Sequence, residues 1–261
     1  MIKIKDLCEA IEAFAPRELQ ENYDNAGLQT GNPETEITSV LICLDVTEDI
    51  INEAMERGCN IIVSHHPLIF KGLKHITGET PVERAVIASI RNNIAIYSAH
   101  TNLDSAREGV SHEMAQMLNL KEVQVLDPKT SDGLEGLGIL GFIKPTPKIE
   151  FLRKVKDIFG VKCLRYSAVS PQLVVRKVAV CGGAGASLIS EAIKAKADVM
   201  LTGDVKYHDF TTFGSDIIIA DVGHFEGELC SEKIIHRIIK ERFPDLEIYI
   251  SSKESNPVNY I

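Results

Sequence analysis

Apolar segments alternate with amphipathic segments along most of the chain. The segments ITSVLICLDV (37–46), NIIVSHH (60–66) and IAIYSAH (94–100) are mostly apolar and contain many β-branched residues, which predicts buried strands. Residues 47–58 and 80–93 lie between these segments and have helical periodicity. This strand–helix–strand order predicts largely parallel or mixed sheets covered by helices, that is, an α/β fold.

Capping residues support the two helices. Thr47 precedes two acidic residues, as expected at a helix N-terminus. Thr80 and Glu83 have the spacing of a capping box, and Pro81 occupies the first-turn position that tolerates proline. We therefore expect both helices to begin at these threonines.

The second half of the chain begins with a polar segment, LDPKTSDG (126–133), which predicts a domain boundary. Further strands are predicted at 136–143, 175–181, 198–204, 216–222 and 246–251, and helices at 107–119, 147–160 and 227–243. We predict two α/β domains: residues 1–126 with about 215–261 form a metal-binding domain, and residues 127–214 form a second domain.

The composition is that of a soluble globular protein. The chain has 261 residues, 44% hydrophobic and 25% charged, with a formal net charge of −9. This charge disfavours nucleic acid and anionic membranes as partners. The six cysteines form no C-x-x-C pair, which suggests a reduced compartment, and Cys181 and Cys230 have hydrophobic neighbours that favour packing over metal ligation. Without a signal segment or a membrane-spanning run, we expect a cytoplasmic protein.

Histidines recur where predicted strands end. Five of the eight histidines have this location: His65, His66, His100, His208 and His224. Ligands of open α/β sheets bind outside the carboxyl ends of the strands. The pattern therefore predicts one site assembled from distant parts of the chain.

Carboxylates follow two of these histidines at an offset of four residues. Asp104 follows His100, and Glu228 follows His224, so a helix starting at either histidine would place both side chains on one face. Histidines combined with bridging carboxylates suit a two-metal site. The residues alone leave open the simpler interpretation of surface histidines, because the H-E-x-x-H motif is absent. The segment CGGAGAS (181–187) matches no phosphate-binding motif and predicts a tight turn with close helix packing.

Several motifs together resemble a known family. They are ENYDNAGLQTG (21–31), SHHPLIF (64–70), SAHTNLD (98–104), TGDVKYHD (202–209) and DVGHFEGE (221–228). In this order they resemble the Nif-three-like family, many members of which carry the label GTP cyclohydrolase I type 2 homologue. The resemblance spans nearly the whole chain and is to the short form, without an extra middle domain.

The resemblance implies a two-domain protomer, a ring-shaped homohexamer and a dinuclear metal site. On matching positions, the implied metal ligands are His65, His66, Asp104, His224 and Glu228. His100 and His208 match positions near the site and are candidate catalytic residues for proton transfer. Asp24, Asn25 and Gly27 match the first motif and form either a structured loop, with Gly27 in a left-handed conformation, or a wall of the metal cleft.

Two functions follow as hypotheses. The first is a metal-dependent hydrolase acting on a nucleotide-like or other small anionic substrate, with two divalent ions per protomer. The alternative is a non-enzymatic metal-handling or regulatory ring assembly. Mixed imidazole and carboxylate ligands suit Zn, Mn, Fe, Co or Ni and do not choose among them. A ring that encloses nucleic acid is disfavoured by the net charge of −9.

Overall fold

The computed structural model describes residues 1–167 and 173–261, which form two compact units. The first unit comprises Met1–Leu103 and Ser231–Ser255, and the second comprises Asp104–Cys230 and Asn256–Ile261. Each unit contains a mixed sheet and helices, so the predicted fold class is confirmed. The sequence-predicted boundaries at 126 and about 215 both fall inside the second unit.

The first unit contains a five-stranded sheet. In spatial order the strands are β1 (Gly27–Thr30), β4 (Ala95–Ser98), β3 (Ile61–Ser64), β2 (Val40–Cys43) and β11 (Ile248–Ile250). Strand β1 runs antiparallel to β4, and the other pairs are parallel. The parallel strands β2, β3 and β4 are completely buried, which explains why their sequences are nearly continuous apolar runs.

Helices cover this first sheet. They are α1 (Ile4–Phe14), α2 (Glu48–Glu56), α3 (Pro81–Arg91) and α10 (Cys230–Arg242), with a short 3₁₀ turn at Arg17–Leu19. A core cluster joins Leu41 and Ile62 of the sheet to Ile50 of α2 and Val86 of α3, all nearly inaccessible to solvent. Each such side chain contributes roughly 1.5–3 kcal/mol by leaving water.

The two helices begin where the sequence predicts, but the Glu83 carboxylate also binds backbone amides that lie before the cap. The Thr47 hydroxyl accepts a hydrogen bond from the Ile50 amide, and the Thr80 hydroxyl accepts one from the Glu83 amide. The Glu83 carboxylate accepts from the Thr80 hydroxyl and from the backbone amides of residues 77, 78 and 79. These hydrogen bonds, led by that from the Thr77 amide, lower the pKa of Glu83 to about 2. Glu83 therefore ties down the end of the loop before α3, in addition to its role at the cap.

The second unit contains a six-stranded mixed sheet. In spatial order its strands are β5 (Lys121–Pro128), β6 (Gly136–Pro147), β8 (Val174–Val180), β9 (Val199–Thr202), β10 (Ile218–Asp221) and β7 (Arg165–Tyr166). Its helices are α5 (Val110–Met117), α6 (Lys148–Phe159), α7 (Ile189–Lys194), α8 (Tyr207–Phe213) and α9 (His224–Glu228), with a 3₁₀ turn at Ala186–Leu188. The short helix α4 (Thr101–Ser105) contains the point at which the first unit ends and the second begins.

The parallel strands β8, β9 and β10 deliver their carboxyl ends to one edge of the second sheet. The segments that follow them are the CGGAGAS turn, the TGDVKYHD motif and the DVGHFEGE motif. No helix within the described ranges 1–167 and 173–261 is both long and apolar enough to cross a membrane.

Candidate metal centre

Three histidines of the first unit meet at the carboxyl ends of β3 and β4. His65 and His66 directly follow β3, and His100 lies two residues beyond β4. The ring centres are 5.1 Å apart for His65 and His66, and 5.4 and 5.6 Å from each of these to His100. Three of the five strand-end histidines therefore lie together in the first unit.

Each of the two adjacent histidines has its Nδ1 atom held by an acceptor. His65 Nδ1 lies 2.8 Å from the Ala99 carbonyl oxygen, and His66 Nδ1 lies 2.8 Å from Asp45 Oδ1. A carbonyl oxygen can only accept, so Nδ1 of His65 carries the proton, and in the neutral ring Nε2 carries the lone pair. This is the arrangement in which an imidazole binds a metal ion through Nε2.

His100 has a carboxylate partner. Its Nδ1 atom lies 2.7 Å from Asp24 Oδ1, and the other carboxylate oxygen accepts hydrogen bonds from the amide and the hydroxyl of Thr101. Burial alone would raise the pKa of Asp24, but the hydrogen bonds from His100 and Thr101 outweigh burial and lower that pKa to about 2. Asp24 is therefore ionised at neutral pH and orients the His100 ring.

The first motif builds the loop that carries Asp24. Gly27 has φ +116°, and a Cβ there would lie 3.1 Å from the Arg17 guanidinium, which confirms the predicted glycine requirement. The side chains of Asn25 and Gln29 both bind the backbone of Ile69: Asn25 Nδ2 donates to its carbonyl at 2.6 Å, and Gln29 Oε1 accepts from its amide at 3.3 Å. The motif thus positions two other segments of the first unit.

The second unit carries a histidine–glutamate pair on helix α9. His224 Nε2 lies 2.8 Å from Glu228 Oε2, so the offset of four residues brings them to one helix face as predicted. His224 Nδ1 lies 2.9 Å from Asp204 Oδ2. The imidazole thus meets a carboxylate oxygen at each ring nitrogen, and a cation at Nε2, either a proton or a metal ion, satisfies both contacts.

Glycines hold this pair by close packing. Gly183 has φ +55°, and a Cβ there would lie 1.9 Å from Glu228 Oε1. A Cβ on Gly203 would lie 2.8 Å from the backbone nitrogen of His224, and the Gly203 amide donates to the Gly183 carbonyl at 2.7 Å. The CGGAGAS segment is therefore a tight turn with close helix packing, as predicted, and it also seats a predicted ligand. This second role could not be predicted, since the clash that a side chain would cause is invisible in the sequence.

Asp221 ties together the loops that follow β9 and β10. Its carboxylate accepts hydrogen bonds from the Val205 amide at 3.2 Å and the Gly223 amide at 3.0 Å, and it forms an ion pair with Arg165. These loops carry Asp204 and His224. The arrangement shows why the DVGHFEGE motif begins with an aspartate.

The other predicted site residues also have defined places. Two of the five predicted ligands, His65 and His66, belong to the first unit, and Asp104, His224 and Glu228 belong to the second. The Asp104 and Glu228 side chains are buried. His208 is exposed in the first turn of α8, with its ring centre 5.5 Å from that of Tyr207, and the catalytic roles of His100 and His208 stay predictions.

The buried cysteines near these segments are poor metal ligands. Burial, reinforced by nearby carboxylates, raises the pKa of the Cys181 and Cys230 thiols to about 12. The thiolate that a metal ion requires is therefore disfavoured at both positions.

Comparison with known proteins agrees with the motifs. A curated relative from Clostridium perfringens named GTP cyclohydrolase 1 type 2 homolog is 35% identical over the whole of both chains. A relative of the same name from Lactococcus lactis is 35% identical over 98% of both chains.

Solved structures share the fold. Reduced HcgD from Methanocaldococcus jannaschii is 30% identical, with a TM-score of 0.79 over 96% of this chain and 98% of that one. A Bacillus cereus protein related to NIF3 is 24% identical, with a TM-score of 0.90 over 100% of this chain and 99% of the other. The family model described as Duf34/NIF3 (NGG1p interacting factor 3) matches residues 2–257, and the chain belongs to this family.

Proposed function

We propose that this protein is a metal-dependent hydrolase with two divalent ions per protomer, held by His65, His66, Asp104, His224 and Glu228. The observation that carries the proposal is the hydrogen bonding of the three proposed ligand histidines, His65, His66 and His224. Each has its Nδ1 atom within 2.9 Å of a carbonyl or carboxylate oxygen, which directs Nε2 towards an electrophile. At His224 that Nε2 atom lies 2.8 Å from Glu228 Oε2, another proposed ligand. Such support fixes the tautomer and the ring orientation that metal binding by an imidazole requires.

The donor set fits a pair of borderline divalent ions. Three imidazoles and two carboxylates suit Zn, Mn, Fe, Co or Ni. Asp104 and Glu228 are the residues able to bridge two ions, since each carboxylate offers two oxygens. When bound, the ions would act as Lewis acids that polarise a substrate and lower the pKa of a water molecule.

The chain's own residues would handle the protons. His100 can accept a proton at Nε2, because the ionised Asp24 holds its Nδ1–H and stabilises the resulting imidazolium. His208 is a second candidate for proton transfer, and its exposure leaves it accessible to a substrate.

The substrate class follows from the chemistry of the centre and from the relatives. A cationic centre attracts a small anionic molecule, and the relatives' name points to a nucleotide. We further infer a ring-shaped homohexamer from the family resemblance. Sedimentation at a mass six times the 28.8 kDa chain would support that assembly, and a monomer or dimer would contradict it.

Elemental analysis of protein purified without chelators tests the centre. We expect two equivalents of metal in the wild type, none in a His65→Ala/His66→Ala double variant, and two in a His75→Ala control, since His75 lies in an exposed loop. Metal retained by the double variant would overturn the proposed ligands.

Turnover of a panel of nucleotides and small organic phosphates tests the reaction. We expect hydrolysis of at least one compound by the metal-loaded wild type and its loss in the double variant. Full metal content with rapid ion exchange and no turnover would overturn the hydrolase and favour metal handling instead.

A further inference from the structure

Two large aromatic side chains are exposed beside the histidine cluster of the first unit. Tyr23 is 66% exposed and Phe70 is 42% exposed. Their rings contact each other edge to face, with centres 6.2 Å apart, and the Phe70 ring centre lies 5.9 Å from that of His100. An aromatic pair in this position adjoins the residues assigned above to metal binding and proton transfer.

The Phe70 segment is held in place by polar side chains. Asn25 and Gln29 bind the carbonyl and the amide of Ile69, and Gln29 Nε2 donates to the Asn25 carbonyl at 2.7 Å. Tyr23 lies two residues before Asn25 in the same motif. One short segment thus supplies one ring and anchors the backbone next to the other, so the backbone that carries the two rings is held in place without a ligand.

We propose that Tyr23 and Phe70 form a stacking surface for a planar heteroaromatic ring that bears an anionic group. This proposal rests on the proposed function, because the ring would belong to a substrate of the metal centre. Aromatic faces attract other π-systems, and stacking costs little conformational entropy when the backbone that carries the two protein rings is already held. Lys71 and Lys74 are exposed in the residues that follow Phe70 and supply positive charge for the anionic group.

The test compares two probes that share a triphosphate group, GTP and inorganic triphosphate. Calorimetry with metal-loaded wild type should show GTP binding about tenfold more tightly, because only GTP can stack. Phe70→Ala and Phe70→Leu should each abolish most of this difference and leave the affinity for triphosphate unchanged. Ile76→Ala is the matched control, since it removes another exposed apolar side chain of the same loop, and it should change neither affinity.

Three results would overturn the stacking surface. They are equal affinity of the wild type for both probes, a Phe70→Leu variant that retains the preference for GTP, and a change in sedimentation of Phe70→Ala that identifies the pair as a subunit contact. Elemental analysis of the same samples separates this proposal from the metal centre. Full metal content without a preference for GTP refutes stacking alone, and a Phe70-dependent preference in protein that binds no metal refutes the metal centre alone.

Discussion

The two units hold their candidate ligands by different physical means. In the first unit, His65 and His66 stand at the end of a buried strand and are oriented by hydrogen bonds to a carbonyl and a carboxylate. In the second, His224 and Glu228 sit on a short helix that is seated against Gly183 and Gly203. Replacing one hydrogen-bond partner weakens the orientation of a ligand gradually. A side chain added at a closely packed glycine instead displaces the ligand outright.

The largest effect is expected from Gly183→Ala. The new Cβ would meet Glu228 Oε1 at 1.9 Å in a left-handed backbone conformation, so Glu228 must move. We expect a loss of about 3 kcal/mol in the free energy of unfolding and the loss of bound metal.

Gly133→Ala is the matched control for Gly183→Ala. Gly133 has φ +71° with nothing within 4 Å of a Cβ, so it isolates the backbone strain, roughly 1 kcal/mol. Denaturant melts and elemental analysis of both variants measure the difference. Equal behaviour of the two would show that Gly183 does not seat Glu228.

The orienting carboxylates give the next largest effect. Asp45→Asn and Asp204→Asn each weaken the acceptor for the Nδ1–H of His66 or His224, and we expect metal affinity to fall about 10–100-fold. Asparagine tolerates the left-handed conformation of residue 204, φ +53°, so the backbone should be preserved. Competition with a metallochromic chelator measures the affinities. Unchanged affinity in both variants would rule out an orienting role.

Asp24→Asn tests the hydrogen-bonded side of the comparison without removing a ligand. The pKa of Asp24 is lower in the folded chain, about 2, than its ordinary value of 3.8, so its ionised form stabilises the fold above pH 3.8 and that contribution is lost as the pH falls through about 2. The variant should melt a few degrees lower than the wild type at pH 7, roughly 2–4 °C, and the gap should close in acid. A gap that persists unchanged to low pH would contradict this linkage; metal content should stay at the wild-type level.

The smallest effect is expected from Glu232→Gln, because Glu232 is linked to His66 only indirectly, through Glu254 and Asp45. Burial and the adjacent Glu254 raise the pKa of Glu232 well above its ordinary value of 4.5, and Glu254 accepts hydrogen bonds from the Leu44 and Asp45 amides. Because the folded chain holds this proton more tightly than the unfolded chain, stability should decline as the pH rises above 4.5. Glutamine keeps a donor without titrating, so the variant should melt at a more constant temperature between pH 6 and about 8. Thermal melts across this range would refute the interpretation if both proteins showed the same slope.

The sequence predicted the fold class because local signals agreed with the packing. The buried strands of the first unit are continuous apolar runs, and Thr47 and Thr80 accept the hydrogen bonds expected at helix starts. The clustering of His65, His66 and His100 also followed from strand ends alone, because neighbouring parallel strands end at one edge.

The supporting residues could not be predicted in the same way. Asp45 and Asp204 reach their histidines across 21 and 20 residues of chain, and a pattern of residue types does not report such contacts. The role of Gly183 depends on a distance to Glu228 that only the folded chain defines. A signal for the aspartates does exist: both follow strands whose carboxyl ends lie at the same edge as a candidate histidine.

The loop that carries Phe70 is tied at both ends, by Asn25 and Gln29 at Ile69 and by the Glu83 carboxylate at residues 77–79. A protease cut or a small insertion at its tip would therefore leave the neighbouring histidines in register. A dye attached at the exposed position 75 of this tethered segment would give a direct optical report of a molecule arriving at the aromatic pair.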